Sequence, residues 1–164
     1  MNRTLRRRSP ASDPGFSFVE LLVVTALIGI LASAVMPLAH VAMQRTREAE
    51  LRRALRELRT AIDHYKDAAD QGTIAATELK LGNEGYPPTL AVLVEGVRAA
   101  GDATDRKLKF LRRVPIDPIT GTKEWGMRSY QDAPDARTWG GQNVFDVFST
   151  SDATALDGTR YKDW

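Results

Sequence analysis

The chain has 164 residues, of which 43% are hydrophobic and 27% are charged. This length suits one ordinary domain, and the apolar content excludes a chain that is disordered throughout. The chain contains no cysteine, which excludes a disulfide scaffold, a thiolate zinc site and a cysteine nucleophile. Only one stretch is long and apolar enough to cross a bilayer, so a multi-span membrane protein is excluded as well.

The positive net charge of +2 belongs to the N-terminal segment. Residues 1–15 contain four arginines and one aspartate, so residues 16–164 carry a net charge of −1. Because the rest of the chain has no excess of positive charge, we predict no nucleic-acid partner. Further along, the arginines of residues 45–59 alternate with glutamates. The four-residue spacings of Glu48 with Arg52 and of Arg53 with Glu57 predict ion pairs on a solvated helix face.

One long helix is predicted from about residue 17 to residue 69. Its first part, residues 16–43, has Glu20 as its only charge, and the uncharged residues 21–39 are about long enough to cross a hydrocarbon core. In the second part, apolar residues recur at steps of three or four, which predicts an amphipathic helix. These residues are Leu51, Leu55, Leu58, Ile62 and Tyr65, with Ala54 and Ala61 widening the same face.

A small head is predicted after this helix. Residues 73–88 are predicted to form a loop, and Thr89 is predicted to cap a short helix over residues 90–97. Residues 125–131 and 143–149 have the composition of short strands. The predicted fold class is therefore α+β, with the long N-terminal helix packed on a head that has a short antiparallel β-sheet.

The junction between the basic segment and the apolar stretch is the most specific motif. It has the sequence GFSFVELLVVTALIGILASAVMP over residues 15–37. The Gly15–Phe16 junction therefore precedes the apolar region, whereas a secretory signal is cleaved after its apolar region. This order resembles the type IV prepilin signature, in which Gly and Phe precede an apolar stretch with Glu at its fifth position. The resemblance implies that prepilin peptidase cleaves after Gly15 and that Phe16 becomes a methylated N-terminus. Pro37 is similar in position to a helix-kinking proline of many family members.

Glu20 is expected to have a partner. A carboxylate in an apolar membrane helix costs about 2.5–3.5 kcal/mol or more. The nearest cation after cleavage is the amino group of Phe16, in the same chain or in a neighbouring subunit. The family resemblance implies the neighbour, so that the pair sets the axial register of a fibre. The alternative is that Glu20 only marks the membrane boundary.

Three stretches of the head resemble the major, G-type pseudopilin of type II secretion systems. They are residues 84–96, 110–130 and 144–164, and the second departs from the family by a longer insertion after Pro118. The lack of the four-cysteine pattern of many adhesive pilins also favours this branch. The best matches are Asp117, Tyr130, Asp146, Phe148, Ser149, Asp152 and Trp164.

The same resemblance implies a structural calcium ion in the C-terminal loop. Calcium binds six to eight oxygen atoms, from carboxylates, carbonyls and hydroxyls. The alternative is that Asp and Thr are common turn-forming residues. The candidate ligands are Val147, Ser149, Asp152, Asp157 and Thr159, with Ser151 and Asp163 as further candidates.

The resemblance implies a division into three parts: a cleaved leader (1–15), a transmembrane or fibre-core helix (16–43), and the rest of the helix with a periplasmic head (44–164). The arginine-rich leader predicts a cytoplasmic N-terminus at the bacterial inner membrane. The implied role is a structural subunit, not an enzyme, that self-assembles into a helical pseudopilus driving protein secretion. The implied partners are minor pseudopilins, prepilin peptidase and an inner-membrane assembly platform with a cytoplasmic ATPase.

Two other functions remain open from the sequence. One is a type IV pilin subunit, major or minor, of a surface fibre for adhesion, motility or DNA uptake. The other is a binding domain anchored by one uncleaved helix. Surface or core positions are predicted for His40 and His64 in place of ligand roles, and packing roles for Trp125, Trp139 and Trp164.

Overall fold

The computed structural model describes residues 15–101 and 106–164, apart from the side chains of Ala34, Met36 and Pro37. The predicted leader lies outside the described residues except for Gly15, and so does the predicted kink at Pro37. The chain divides into two compact units, Met1–His40 and Val41–Trp164, each with its own set of internal contacts.

The long helix, α1, spans Phe18–Asp70 and confirms the predicted bounds within one residue. It ends where Gly72 takes a left-handed conformation with φ of 68°. There the N–H groups of Gly72 and Thr73 donate to the carbonyls of Ala69 and Ala68, each at 3.0 Å. These bonds satisfy two carbonyls of the last turn that no longer have helical partners.

In the first unit, α1 exposes its apolar side chains. An 18-residue window of the helix has a mean hydropathy of 2.5, and none of it is buried. Among the described residues this is the one helix long and apolar enough to cross a membrane. The hydroxyl of Thr25 donates to the carbonyls of Leu21 and Leu22, at 2.9 and 3.0 Å, so it is satisfied within the helix itself.

In the second unit, α1 supplies one wall of the core. The five residues that the helical period assigned to the inner face are each at most 3% exposed. Burial of a large apolar side chain contributes about 1.5–3 kcal/mol before conformational entropy is counted, so this face holds the head on the helix. Those residues, with the head residues that pack on them, include Leu51, Leu55, Leu58, Ile62, Tyr65, Ile74, Leu93, Val97, Trp125, Val144, Val147 and Tyr161.

The head contains short elements joined by turns. After α2 (Leu90–Glu95), strands β1 (Val97–Arg98) and β2 (Lys107–Leu108) pair antiparallel. Strands β3 (Gly126–Arg128) and β4 (Asp146–Phe148) form a second antiparallel pair. The predicted strands at 125–131 and 143–149 are therefore confirmed with narrower bounds, whereas β1 and β2 were not predicted. A 3-10 turn at Tyr161–Asp163 follows within the predicted C-terminal loop.

Two local predictions are wrong. Thr89 stands at the N-cap position of α2, but its side chain makes no capping hydrogen bond. The predicted ion pairs along α1 are not formed among the described residues. Arg52 pairs with Asp157 at 3.5 Å and Glu48 is buried under the C-terminal loop, whereas Arg53 and Glu57 are exposed and form no ion pair with each other. Tertiary partners thus replace the predicted pair of Glu48 with Arg52.

Candidate functional site

The predicted cleavage junction lies just before α1. Phe16 is 85% exposed, and the helix begins two residues later at Phe18. A Cβ atom placed on Gly15 would meet no atom within 4 Å, so the backbone here is open. A peptidase needs an accessible peptide bond outside regular secondary structure, and the Gly15–Phe16 bond is exposed and stands before the helix.

Glu20 lies in the first turn of α1, and its side chain is exposed. A negative charge in the first turn of a helix is favoured by the positive end of the helix dipole. Within the described residues Glu20 has no ion-pair partner. In an apolar environment its carboxylate therefore needs a cation from outside this part of the chain.

The C-terminal loop is attached to α1 through Glu48. One carboxylate oxygen, Oε1, accepts hydrogen bonds from the backbone N–H of Leu156 (2.8 Å), the hydroxyl of Tyr161 (3.0 Å) and the side-chain amide of Gln44 (3.2 Å). Glu48 is only 8% exposed. The helical spacing predicted a surface ion pair for Glu48, although its position three residues before Leu51 placed the carboxylate on the inner face of the helix.

A second attachment is made by Arg59, also on α1. Its Nε donates to a carboxylate oxygen of Asp146 at 2.8 Å. Its Nη2 donates to the carbonyl oxygens of Val147 and Trp164, each at 3.0 Å. One guanidinium therefore joins α1 to β4 and to residue 164, and charge-assisted bonds of this kind are the stronger ones in proteins.

The first two candidate calcium ligands are engaged in protein contacts. The carbonyl of Val147 accepts from Arg59, and the hydroxyl of Ser149 donates to the carboxylate of Asp117 at 2.6 Å. Asp117 is fully buried and also accepts from the backbone N–H of Ile119 at 2.8 Å. The buried serine–aspartate pair therefore links the turn after residue 117 to the end of β4.

The other candidates lie on the exposed part of the loop. Lys162 is an ion-pair partner of Asp152 and lowers the pKa of that carboxyl. Asp157 accepts from the hydroxyl and the backbone N–H of Thr159, at 2.6 and 2.9 Å, and these bonds lower its pKa as well. Both carboxyls are therefore ionised at neutral pH, and an ionised carboxylate is the ligand that calcium prefers.

These candidates do not form a carboxylate-rich cage. Within residues 15–101 and 106–164, no three His, Cys, Asp or Glu side chains lie close enough together to hold a metal ion. A calcium ion would have to use hydroxyl and carbonyl oxygens beside Asp152, in exchange for the contact with Lys162. Calcium binding therefore stays a prediction.

The remaining predicted residues have packing roles or are exposed. Trp125 belongs to the buried core and Trp139 and Trp164 pack against it, which confirms packing positions for all three. Their indole N–H groups donate to Pro115, Asn143 and Thr159, respectively. His40 and His64 are exposed. Tyr130, a residue of the second resembling stretch, stacks on Tyr86 with ring centroids 5.8 Å apart and meets the edge of Phe145.

Comparison with known protein families finds the prokaryotic N-terminal methylation motif at residues 12–36. The match spans the Gly15–Phe16 junction, Glu20 and most of the exposed apolar part of α1. Comparison with curated proteins and with solved structures finds no match. A single apolar N-terminal helix is also what a single-pass anchor of the prepilin kind requires. The chain thus carries the N-terminal signal of a type IV pilin-like or pseudopilin precursor, which prepilin peptidase processes, and this signal supports a place in the pilin-like superfamily.

Proposed function

We propose that this chain is a pseudopilin, the structural subunit of a type II secretion system that assembles into a periplasmic pseudopilus. The observation that carries the proposal is the difference between the two halves of α1. One half exposes a continuous apolar surface and the other half forms the core of a folded head. A subunit built in this way needs a second apolar environment for its first half, either a bilayer or the centre of a fibre.

Assembly would exchange lipid for protein around the first half of α1. Apolar side chains gain little when they leave one apolar medium for another, so polar contacts decide the register. Glu20 supplies that contact when it meets the amino group of Phe16 in a neighbouring subunit. The pair recovers part of the roughly 2.5–3.5 kcal/mol that an unpaired carboxylate costs in an apolar layer.

The secretion branch is supported by the stretches that resemble the G-type pseudopilin. In the structure they contain α2, the buried Asp117 and the attachment of Trp164 to α1. They therefore coincide with the parts that hold the head together. The proposed role is structural, and the proposed orientation places the head in the periplasm and the leader in the cytoplasm.

We extend the proposal to one structural calcium ion in the C-terminal loop. Its support is the pair of exposed, ionised carboxyls of Asp152 and Asp157 within a loop that is closed by the bridge between Thr154 and Arg160. An ion there would fix the exposed part of the loop, beyond the attachments through Glu48 and Arg59, where surface ion pairs individually contribute only about 0–1 kcal/mol.

The first test is intact-mass and N-terminal peptide mass spectrometry of the protein extracted from membranes. We expect a chain that begins at Phe16 and carries one added methyl group. A chain that retains residues before Phe16, in cells with an active prepilin peptidase, would contradict processing and favour an anchored domain.

The second test concerns Glu20. We expect Glu20→Ala to be processed normally and to fail in fibre assembly. Glu50→Ala, the same change at an exposed position of the head half of α1, is the control and should assemble normally. Normal fibres from the Glu20 variant would contradict the register argument.

Deletion of the gene separates the two kinds of fibre. Loss of secretion of folded proteins with surface motility intact supports the pseudopilin. Loss of a surface fibre and of motility with secretion intact would assign the chain to a type IV pilus instead.

A further inference from the structure

A pocket of about 230 Å³ lies on the head, and its lining includes Tyr130, Pro134 and Phe145. Tyr130 is 56% exposed and Phe145 is 43% exposed, and their ring centroids are 5.5 Å apart. Every other aromatic side chain in residues 41–101 and 106–164 is buried or half-buried. Tyr86 stacks on one face of Tyr130, so the exposed surface of this ring lies on its other face and at its edges. The head therefore leaves its two exposed aromatic rings together in one pocket.

The turn that carries Tyr130 is held by Asn143, which is fully buried. The side-chain oxygen of Asn143 accepts from the backbone N–H of Tyr130 at 2.9 Å, and its side-chain amide donates to Gln131 at 3.1 Å. Its backbone carbonyl accepts from the hydroxyl of Ser129 at 3.0 Å and from the indole N–H of Trp139 at 2.7 Å. A buried polar group with this many partners holds the turn in one conformation, so the pocket is formed before a ligand arrives.

Asp132 supplies an acceptor at the pocket. Its Oδ2 accepts from the backbone N–H groups of Ser129 at 2.7 Å and Gly140 at 3.0 Å, and these bonds lower the pKa of the carboxyl. Within the described residues Asp132 has no ion-pair partner. A carboxylate has about four lone-pair sites, so Asp132 keeps the capacity to accept from a ligand.

Arg128 supplies donors at the same pocket. Its Nη1 donates to Asp146 and its Nε donates to the carbonyl of Ala136, each at 3.0 Å. A guanidinium has five N–H groups, so these two bonds leave donors for a ligand. Asp146 also lines the pocket and is paired with Arg59 as well as with Arg128. The carboxylates of Asp132 and Asp146 are thus balanced by two guanidinium groups.

This balance favours a neutral ligand that carries many hydroxyl groups. A charged ligand finds no opposite net charge here, and a purely apolar ligand would cover Arg128 and Asp132 without bonding to them, which costs free energy. A pyranose ring meets both requirements, because its C–H groups pack on the electron-rich face of an aromatic ring while its hydroxyls both donate and accept. The volume is below the roughly 300–1,000 Å³ of sites for drug-sized ligands, so it suits a single ring.

We propose that this pocket binds one neutral pyranose ring of a glycan. Tyr130 and Phe145 form the packing surface, and Asp132 and Arg128 bond to the hydroxyls of the ring. The proposal does not depend on the kind of fibre that the chain forms, because every residue of the site belongs to the folded head.

Saturation-transfer NMR of the mature chain tests this binding, since it detects ligand protons that touch the protein. The micelles are made from a detergent without a sugar headgroup, which would otherwise compete for the pocket. The probes are maltotetraose and chitotetraose, which are neutral chains of glucose and of N-acetylglucosamine. We expect transfer to the C–H protons of one ring in at least one of them. Transfer to neither would overturn the proposal, and transfer to N-acetyl-arginine amide alone would assign the pocket to a cationic side chain instead.

Variants then locate the binding. We expect Tyr130→Ala to weaken binding of the glycan about tenfold or more, and Tyr130→Phe, which keeps the ring, to weaken it by less than about threefold. Asp132→Asn should weaken it by about fivefold, because a charge-assisted hydrogen bond becomes a neutral one.

The matched controls are Leu81→Ala and Asp135→Asn, which change an exposed apolar residue and an exposed carboxyl outside the lining. Both should bind like the wild type. Wild-type binding by Tyr130→Ala, or an equal loss in the controls, would overturn the site. If Tyr130→Ala does not fold, Phe145→Leu is measured in its place, and wild-type binding by that variant would overturn the site equally.

Discussion

Replacing Glu48 by alanine is expected to release the C-terminal loop from α1. The carboxylate accepts three hydrogen bonds at one oxygen, and two of the donors belong to the loop itself, at Leu156 and Tyr161. Alanine removes the acceptor and leaves a cavity under the loop. The chain then either buries a tyrosine O–H without an acceptor, although its oxygen still accepts from Gln44, or lets the loop open so that water can satisfy it.

The expected loss of stability follows from the exposure of the three donors. Tyr161 is 2% exposed, so its hydroxyl bears the full cost of an unsatisfied buried donor, about 1–3 kcal/mol. Leu156 is 43% exposed and Gln44 is half-buried, so their N–H groups regain water at a smaller cost. We expect Glu48→Ala to lower the free energy of unfolding by about 2–4 kcal/mol in total. Glu48→Gln keeps an acceptor oxygen and should lose about half as much.

The assay is urea unfolding of the mature chain in detergent micelles, followed by tryptophan fluorescence. Hydrogen–deuterium exchange of residues 150–164, measured by mass spectrometry, separates local opening of the loop from global unfolding. Glu50→Ala, an exposed glutamate on the same helix, is the matched control and should stay within about 0.5 kcal/mol of the wild type. A Glu48→Ala variant with wild-type stability and unchanged exchange in the loop would refute the reasoning.

Three further predictions concern the head. Gly96→Ala should cost about 2–3 kcal/mol in urea unfolding, because Gly96 has φ of 82° and an added Cβ would lie 2.7 Å from the carbonyl oxygen of Leu108; an unchanged midpoint would contradict this. The contacts of Thr159 lower the pKa of Asp157, so their contribution to stability is complete above the ordinary value of 3.8 and is lost as pH falls below it. Exchange of the loop between pH 5 and 2, corrected for the intrinsic pH dependence of amide exchange, should show this loss, and Asp157→Asn should reduce the dependence to the part due to Asp152. Calcium at about a hundredfold excess over its Kd should raise the free energy of unfolding by about 2.7 kcal/mol, which is measured as a higher Tm. Asp152→Asn should remove this effect, and an equal Tm with and without calcium would argue against the ion.

The long helix was predictable because its evidence is local and repeated. Each of Leu51, Leu55, Leu58, Ile62 and Tyr65 contributes to one periodic pattern, and all five are buried. The apolar stretch before them is equally plain in the sequence. A pattern repeated over several turns still predicts a helix when the prediction for a single residue is wrong.

The contacts of individual charges were not predictable, because they depend on distant segments. The partners of Glu48 stand 108 and 113 residues further along the chain, and no local spacing indicates them. For the same reason, Arg52 pairs with Asp157 and not with Glu48, its expected partner on the helix. Asp117 was singled out only as a match to the G-type pseudopilin. Its buried hydrogen bond with Ser149 joins residues 32 apart, which no local spacing indicates.

The shortest elements also escaped prediction. β1 and β2 have two residues each, too few for an alternating pattern to be recognised. Their pairing depends on the close approach of Gly96 to Leu108, which is a tertiary contact.

The triple contact of Arg59 has a consequence for the timing of folding during synthesis. Its carbonyl partner at Trp164 lies 105 residues downstream, which takes a ribosome about 5–20 s to add. During most of that interval all residues of α1 have been synthesised, while the loop that covers its inner face is not complete. The nascent chain therefore passes through a stage in which both halves of α1 present uncovered apolar surface. Early membrane insertion of the first half would hold such chains apart and keep the second half from aggregating before its cover arrives.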